Sequence, residues 1–193
     1  TSISGSSGFA LTIQGGTGPN IITGSDSFDY IYTSGNNDVI HAAAGNDTVQ
    51  VNPFQANLPA GNVFDGGSGI DTFRWGSFFT TLDLSKVNLT NFEIIEAQPG
   101  VQVLLTRAQL TSFTAGVRNG TYVLQDGGAV SLAGVQGGGT SFQLAATGNT
   151  IDLRGFQEYS GNVAGNVGND TIYGVTNGVN SLNGGGGNDI LQG

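Results

Sequence analysis

The sequence predicts an all-β protein, a parallel β-roll or β-helix solenoid, and three observations support this class. Glycine is the commonest of the 193 residues, with 34 copies, and glycine at such a frequency favours tight turns. Strand-forming Val, Ile, Thr, Phe and Tyr are plentiful, whereas helix-forming residues are scarce: the chain has no Met, one Lys and three Glu. The third observation is a nine-residue repeat, which is typical of a solenoid.

The repeat consists of four contiguous nine-residue units that begin at residue 15. These units are GGTGPNIIT (15–23), GSDSFDYIY (24–32), TSGNNDVIH (33–41) and AAAGNDTVQ (42–50). Position six of each unit is Asn or Asp, and position eight is Ile or Val. The pattern returns in GGSGIDTFR (66–74), GNVGNDTIY (165–173) and GGGGNDILQ (184–192), and the ten-residue unit GVTNGVNSLN (174–183) lies between the last two.

Each unit divides into a turn and a short strand. Positions one to six are rich in Gly, Asn, Asp and Ser, which tolerate the backbone angles of turns. Positions seven to nine form a three-residue strand, in which position eight points to one face and its neighbours point to the other. Two units therefore make one coil of about eighteen residues. Stacked coils give two parallel sheets around a thin aliphatic core.

Stacking brings the position-six side chains of successive coils together. Asp29 meets Asp47, and Asn20 meets Asp38, because each pair is separated by one coil. Carboxylates at such positions repel one another unless a cation lies between them. Calcium suits best, since it accepts six to eight oxygen ligands in flexible geometry, some of them backbone carbonyls. Metals that prefer Cys or His are disfavoured, because the chain has no Cys and one His. The predicted cofactor is Ca²⁺.

The predicted metal ligands are the position-six residues and two aspartates in nearby turns. An aliphatic residue two places after each position-six residue argues against turn chemistry as the whole explanation. Asp65 directly precedes the GGSG turn and is either an extra ligand or an ordinary turn residue. The full predicted set is Asn20, Asp26, Asp29, Asp38, Asp47, Asp65, Asp71, Asp170 and Asp189.

The units resemble a known family motif. GGSGIDTFR and GGGGNDILQ closely match GGxGxDxUx, with U a large apolar residue, the nonapeptide of RTX (hemolysin-type calcium-binding) proteins. GGTGPNIIT departs from the motif at Asn20, which lowers the charge there. The resemblance covers about a third of the chain. It implies a parallel β-roll, calcium between the turns, folding on calcium, and type I secretion from a Gram-negative bacterium to the extracellular space or cell surface.

Three segments follow from the distribution of the repeats. Residues 1–74 form an N-terminal roll with an inserted loop at 51–63, and residues 147–193 form a C-terminal roll. The middle segment, 75–146, contains strand-like stretches and resembles segments between repeat blocks of RTX and surface-layer proteins. We expect it to be an irregular continued β-helix or a sandwich-like insertion.

Two local features are predicted inside the middle segment. TRAQLTSF is predicted to form a short helix that Thr106 caps. TYVLQDGGAVSLAGV indicates either a hairpin or two successive coil strands.

The charge argues against nucleic acid as a partner, and the apolar pattern argues against a transmembrane segment. The net charge is −9, with 14 acidic residues and five Lys plus Arg, so the chain has no basic patch for nucleic acid. No apolar run has the length of a transmembrane segment.

The first functional hypothesis is a secreted calcium-binding structural protein or domain, of surface-layer, filament or adhesin type, without enzymatic activity. In this hypothesis the coils fold on binding calcium, and copies of the chain can stack end to end. The second is a folding and export module of a secreted polysaccharide- or protein-degrading enzyme. The only candidate residues for a catalytic groove are Asp152, Arg154 and Glu158. The third is a carbohydrate- or cell-binding module that uses Tyr30 and Tyr32 to contact a surface glycan.

Overall fold

A computed structural model of the chain describes residues 2–5, 8–34, 36–52, 58, 61–76, 79–158 and 160–193. The chain divides into two compact units, Thr1–Gln98 and Pro99–Gly193. Parallel strands dominate both units, as the sequence predicts. No helix in these residue ranges combines the length and the apolar character that a bilayer crossing requires.

The first unit is a solenoid of short parallel strands. Its strands are β1 (Ser2–Ser4), β2 (Leu11–Gln14), β3 (Ile21–Thr23), β4 (Asp29–Thr33), β5 (Val39–His41), β6 (Thr48–Val51), β7 (Val63–Asp65), β8 (Thr72–Trp75), β9 (Thr81–Asp83), β10 (Asn88–Thr90) and β11 (Ile94–Glu96). Odd-numbered strands pair in the order β1-β3-β5-β7, followed by β10. Even-numbered strands pair in the order β2-β4-β6-β8, followed by β11. From β1 to β8, successive strands therefore alternate between two sheets.

The register confirms the eighteen-residue coil. Ile22 lies opposite Ile40 in one sheet, and Ile31 lies opposite Val49 in the other. All four side chains are completely buried, because position eight points into the space between the two sheets. At about 25 cal/mol per Å² of apolar surface, these repeated residues supply the main favourable term for folding.

An insertion lengthens one coil without changing the register pattern. Position-six residues of neighbouring coils are 18 positions apart in the sequence before the predicted loop 51–63. Across the loop they are 24 positions apart. Phe64 and Phe73 then replace the aliphatic residues of earlier coils, with ring centroids 5.6 Å apart, and Phe92 packs edge-on at 5.8 Å from Phe73. Residues 53–57 and 59–60 of the loop lie outside the described part.

The second unit repeats the plan with longer coils. It contains β12 (Gln102–Leu105), α1 (Arg107–Ser112), β13 (Gly116–Arg118), β14 (Thr121–Leu124), β15 (Gly128–Ser131), β16 (Ser141–Gln143), β17 (Asn149–Asp152), β18 (Ser160–Ala164), β19 (Thr171–Tyr173), β20 (Val179–Asn183) and β21 (Ile190–Gln192). One sheet has the order β12-β14-β16-β18-β20. The other has the order β15-β17-β19-β21. All of these pairings are parallel.

Within each unit, the strands of residues 75–146 pair in parallel with strands of neighbouring coils, as expected for a β-helix and not for a sandwich-like insertion. Strands β14 and β15 belong to different sheets, so TYVLQDGGAVSLAGV forms successive coil strands and no hairpin. The predicted helix is also confirmed. Thr106 accepts a hydrogen bond from the Gln109 backbone, and the Gln109 side chain returns to the Thr106 backbone in a capping box.

Close contact between turns predicts a large effect of one glycine substitution. Gly67 has φ of +95°, and a Cβ at this position would overlap the carbonyl oxygen of Ala43 in the preceding coil. We expect Gly67→Ala to lower the free energy of unfolding by about 2 kcal/mol or more, because strain and overlap add. Urea unfolding checks this value. Gly18→Ala is the matched control, since its Cβ would meet nothing within 4 Å; equal losses in the two variants would contradict the expectation.

Candidate metal centre

Side chains at position six link successive coils of the first unit. The backbone N–H of Asp29 donates to Oδ1 of Asp47 at 2.7 Å, and that of Asp47 donates to Oδ1 of Asp71 at 2.7 Å. The N–H of Asp71 donates to Oε2 of Glu93 at 2.9 Å. We call Asp29, Asp47 and Asp71 the aspartate column. Each carboxylate therefore uses one oxygen to hold the backbone of the coil before it.

A second column lies on the other turn edge of the same unit. The N–H of Asn20 donates to Oδ1 of Asp38 at 2.9 Å, and the N–H of Asp38 donates to Oδ1 of Asn62 at 2.8 Å. Oδ2 of Asp38 accepts from the Thr33 hydroxyl. This column therefore has one carboxylate between two amides, whereas the aspartate column has three carboxylates in succession.

The second unit has its own column. The N–H of Asn149 donates to Oδ1 of Asp170 at 2.9 Å, and the N–H of Asp170 donates to Oδ1 of Asp189 at 2.9 Å. The structure thus brings the predicted position-six residues together in pairs, one coil apart.

The second carboxylate oxygen distinguishes the aspartate column. In the described part of the chain, Oδ2 of Asp47 and Oδ2 of Asp71 are buried and have no hydrogen-bond partner, whereas Oδ2 of Asp29 accepts from the N–H of Ser25 at 2.5 Å. A buried carboxylate oxygen without a partner is costly, since desolvation is not compensated. Carboxylate and carbonyl oxygens are the ligands that calcium prefers. The orphaned oxygens therefore fit a calcium ion.

Burial changes the acidity of the same two groups. Desolvation raises the pKa of Asp47 to about 7 from an ordinary value of 3.8, and the nearby charges of Asp71 and Asp29 raise it further. Desolvation raises the pKa of Asp71 to about 6, with further contributions from Glu93 and Asp65. Hydrogen bonds from the backbone oppose both shifts. Without a cation, the column holds its negative charge at a cost.

Glycines leave room beside the carboxylates. A Cβ at Gly24 would lie 2.6 Å from Oδ2 of Asp29 and would overlap the carbonyl oxygen of Ala42 in the next coil. A Cβ at Gly66 would lie 3.0 Å from Oδ2 of Asp71, and it would overlap a carbonyl oxygen of the next coil. A side chain at either glycine would fill the space between carboxylate and carbonyl. These glycines therefore keep a set of oxygens open to a cation.

Backbone oxygens must complete any such site. In the described part of the chain, no group of three or more His, Asp or Glu side chains gathers around one point. Calcium at the aspartate column would thus be held by Oδ2 of Asp47 or of Asp71 together with turn carbonyls. A cation held there would offset the repulsion between the carboxylates of neighbouring coils. Both carboxylate oxygens of Asp29 accept hydrogen bonds, from Leu11 and Ser25, so its role as a ligand stays a prediction.

Two predicted ligands lie outside the columns. Asp26 is exposed in the turn before β4. Asp65 lies at the end of β7, where Oδ1 accepts from Asn91 at 2.8 Å and Oδ2 lies 3.5 Å from Nδ1 of His41. The role of either residue as a calcium ligand stays a prediction.

Three members of the columns were not predicted from the sequence: Asn62, Glu93 and Asn149. Asn62 and Asn149 show the same spacing as the repeats, since a buried apolar residue, Phe64 or Ile151, follows two places later. Counting back nine residues from Asp71 would have found Asn62. Glu93 gave a weak signal, because its longer side chain replaces the usual Asp.

The groups proposed for catalysis form a local ion pair. Arg154 donates from Nη2 and Nε to the carboxylate of Asp152 at 2.6 and 2.9 Å, and its guanidinium lies 4.2 Å from the ring centroid of Tyr173. Hydrogen bonds from Arg154 lower the pKa of Asp152. Oε2 of Glu158 instead accepts from the backbone of Thr140 at 3.4 Å. The absence of enzymatic activity stays a prediction.

The tyrosines of the third hypothesis lie on the outer face of the β2-β4-β6-β8 sheet. Tyr30 and Tyr32 stack with centroids 4.7 Å apart and are half-buried. The Tyr30 hydroxyl donates to Gln50 at 2.8 Å and accepts from Arg74 at 2.5 Å. These bonds fix the ring of Tyr30. Glycan binding at this face stays a prediction.

The raised pKa values predict an unusual pH dependence of the calcium-free protein. A carboxyl group with a raised pKa binds protons more tightly in the folded state, so it stabilises the fold below about pH 4. This stability is lost as the pH rises through about 6 for Asp71 and about 7 for Asp47. We expect unfolding in chelator to become easier between pH 4 and 8, and calcium to reduce this slope. Urea unfolding at several pH values measures both; a flat or rising curve in chelator would contradict the expectation.

Comparison with known proteins agrees with the repeat pattern. The family model of the RTX calcium-binding nonapeptide repeat matches in four copies, over residues 14–49, 159–174 and 175–193. A search of curated proteins and a search of solved structures each found no match. The family resemblance is thereby confirmed, and calcium is supported as the ion.

Proposed function

From the premise that this chain contains RTX calcium-binding repeats on a β-solenoid, we propose that it is an extracellular structural module whose coils fold and are held together on binding calcium. Proteins with RTX repeats are typically secreted. Millimolar external calcium is sufficient for such a module, since extracellular calcium sites bind at about 10⁻⁴ to 10⁻³ M.

The observation that carries this proposal is the pair of orphaned oxygens in the aspartate column. Oδ2 of Asp47 and Oδ2 of Asp71 are buried without partners, and both carboxyl groups have raised pKa values. A cation that binds the folded column and not the unfolded chain stabilises the fold by mass action. Calcium binding and folding are therefore one equilibrium.

The test follows far-UV circular dichroism while calcium is added to chelated protein at constant ionic strength. We expect a gain of β signal, or a rise in thermal midpoint, at millimolar calcium. Magnesium is the control, because it demands a tight octahedral site and keeps its waters. A chelated protein that is fully folded and has the same thermal midpoint with and without calcium would refute the proposal.

One observation favours end-to-end association as a second candidate function. Leu191 occupies the inward position eight of β21, yet it is 46 % exposed, whereas Ile172 in the preceding coil is completely buried. Ile190 beside it is 61 % exposed. Strands β20 and β21 are also the last of their sheets in the second unit, and unpaired strand edges favour further pairing. Either further coils of a longer protein or a second copy of the chain would cover these groups.

Sedimentation velocity in calcium tests this second candidate. We expect the wild-type chain to form larger species as its concentration rises, and Leu191→Asp to remain monomeric. Val167→Asp is the matched control, because Val167 is exposed in a turn. A wild-type chain that is monomeric at every concentration would exclude association through the last coil.

A further inference from the structure

Among the asparagines at position six, Asn20 and Asn149 each have an amide nitrogen that is surrounded by oxygens. Nδ2 of Asn20 donates to the carbonyl oxygens of Gly16 at 3.0 Å and Gly18 at 2.7 Å, and it lies 2.8 Å from Oδ1 of Asp38. Oδ1 of the same side chain accepts from the N–H of Gly16 at 3.1 Å. Asn20 is 1 % exposed. Both Oδ1 and Nδ2 of this carboxamide are therefore hydrogen-bonded inside the fold.

Asn149 shows the same arrangement around its amide nitrogen in the second unit, whereas its uncharged Oδ1 is buried without a hydrogen-bond partner among the described residues. Its Nδ2 donates to the carbonyl oxygens of Ala145, at 3.0 Å, and of Thr147, and it lies 2.9 Å from Oδ1 of Asp170. Asn149 is 4 % exposed. In both turns the carbonyls belong to positions two and four of the same unit, and the carboxylate belongs to the next coil.

Two carbonyls and a carboxylate are the kinds of oxygen that calcium binds. The amide nitrogen contacts all three, so it occupies the place that a cation bridging these oxygens would need. An amide supplies hydrogens without charge, and it therefore satisfies the oxygens without a metal. An aspartate at the same position would place a carboxylate oxygen against the two turn carbonyl oxygens and the carboxylate oxygen of the next coil. Such a turn needs a cation, as the orphaned Oδ2 of Asp47 does.

We propose that the Asn20 and Asn149 turns are metal-free, with the carboxamide nitrogen in place of calcium, so that calcium is bound only at turns with aspartate at position six. The proposal rests on the proposed function for the aspartate column. It removes Asn20 from the predicted ligands. It also divides the solenoid into turns that are stable without calcium and turns that are not.

The test compares Asn149→Asp, Asn149→Ala and the control Asn177→Asp, which adds the same charge at an exposed turn position. Thermal midpoints are measured in chelator and in calcium, and bound calcium is counted by equilibrium dialysis. We expect Asn149→Asp to lower the midpoint in chelator, to recover in calcium, and to bind one additional ion. Asn149→Ala should lower the midpoint equally in both conditions and bind the wild-type number of ions.

Two results would overturn the inference: a lost ion in Asn149→Ala, which would make Asn149 a ligand, or an Asn149→Asp variant that calcium does not rescue. Asn20→Asp repeats the test in the first unit, should Asn149→Asp fail to fold even in calcium. Failure of the proposed function looks different, because the wild-type chain itself would then bind no calcium. In that case a midpoint of Asn149→Asp in chelator equal to that of wild type would also refute the role of the amide.

Discussion

Asp47→Asn is expected to act in opposite directions with and without calcium. Asparagine keeps an oxygen to accept from the N–H of Asp29, and it removes a buried charge whose Oδ2 has no partner. In chelator above pH 7 the variant should therefore be more stable than wild type. In calcium it should lose the stabilisation of the removed site, about 2.7 kcal/mol at calcium 100 times its Kd.

Urea unfolding at pH 8, in chelator and in calcium, measures both effects. Asp83→Asn is the matched control, because Asp83 is a half-buried aspartate of the same unit that accepts from Ser85 and lies outside the columns. Equal calcium stabilisation of Asp47→Asn and wild type would show that Asp47 is not a ligand.

Phe73→Ala is expected to produce the largest loss of stability that does not involve calcium. Phe73 is completely buried and lies between Phe64 and Phe92, with centroids 5.6 and 5.8 Å away. Truncation of such a ring removes apolar contacts and leaves a cavity, which costs about 3 to 5 kcal/mol. Urea unfolding in saturating calcium measures the loss while the metal sites stay filled.

Phe9→Ala serves as the control for this variant, because Phe9 is 73 % exposed. We expect a change within about 0.5 kcal/mol for this surface residue. A loss below about 1 kcal/mol for Phe73→Ala would mean that the aromatic cluster does not hold the inserted coil to its neighbours.

The repeat made most of the fold predictable from the sequence. Position eight identified Ile22, Ile31 and Ile40 as core residues, because a three-residue strand can point only its middle side chain inward. The same nine-residue repeat predicted the eighteen-residue register between paired strands. It did not decide the architecture of residues 75–146, since the coils of the second unit that begin in this segment vary from 19 to 21 residues and carry no fixed repeat.

The candidate site was predictable in its residues and not in its bonding. The sequence placed Asp29 and Asp47 one coil apart, but it could not show that one oxygen of Asp47 holds a backbone N–H while the other has no partner. It also treated Asn20 as a weaker ligand. Only the positions of the turn carbonyls of Gly16 and Gly18 reveal that its amide nitrogen fills the cation's place.

The most direct test of calcium between the coils is an anomalous-scattering map from crystals grown in calcium. We expect peaks beside Oδ2 of Asp47 and Oδ2 of Asp71, each within about 2.3 to 2.6 Å of carboxylate and carbonyl oxygens. We expect no peak at the Asn20 or Asn149 turns. Crystals that contain bound calcium elsewhere and show no peak at the aspartate column would contradict the account.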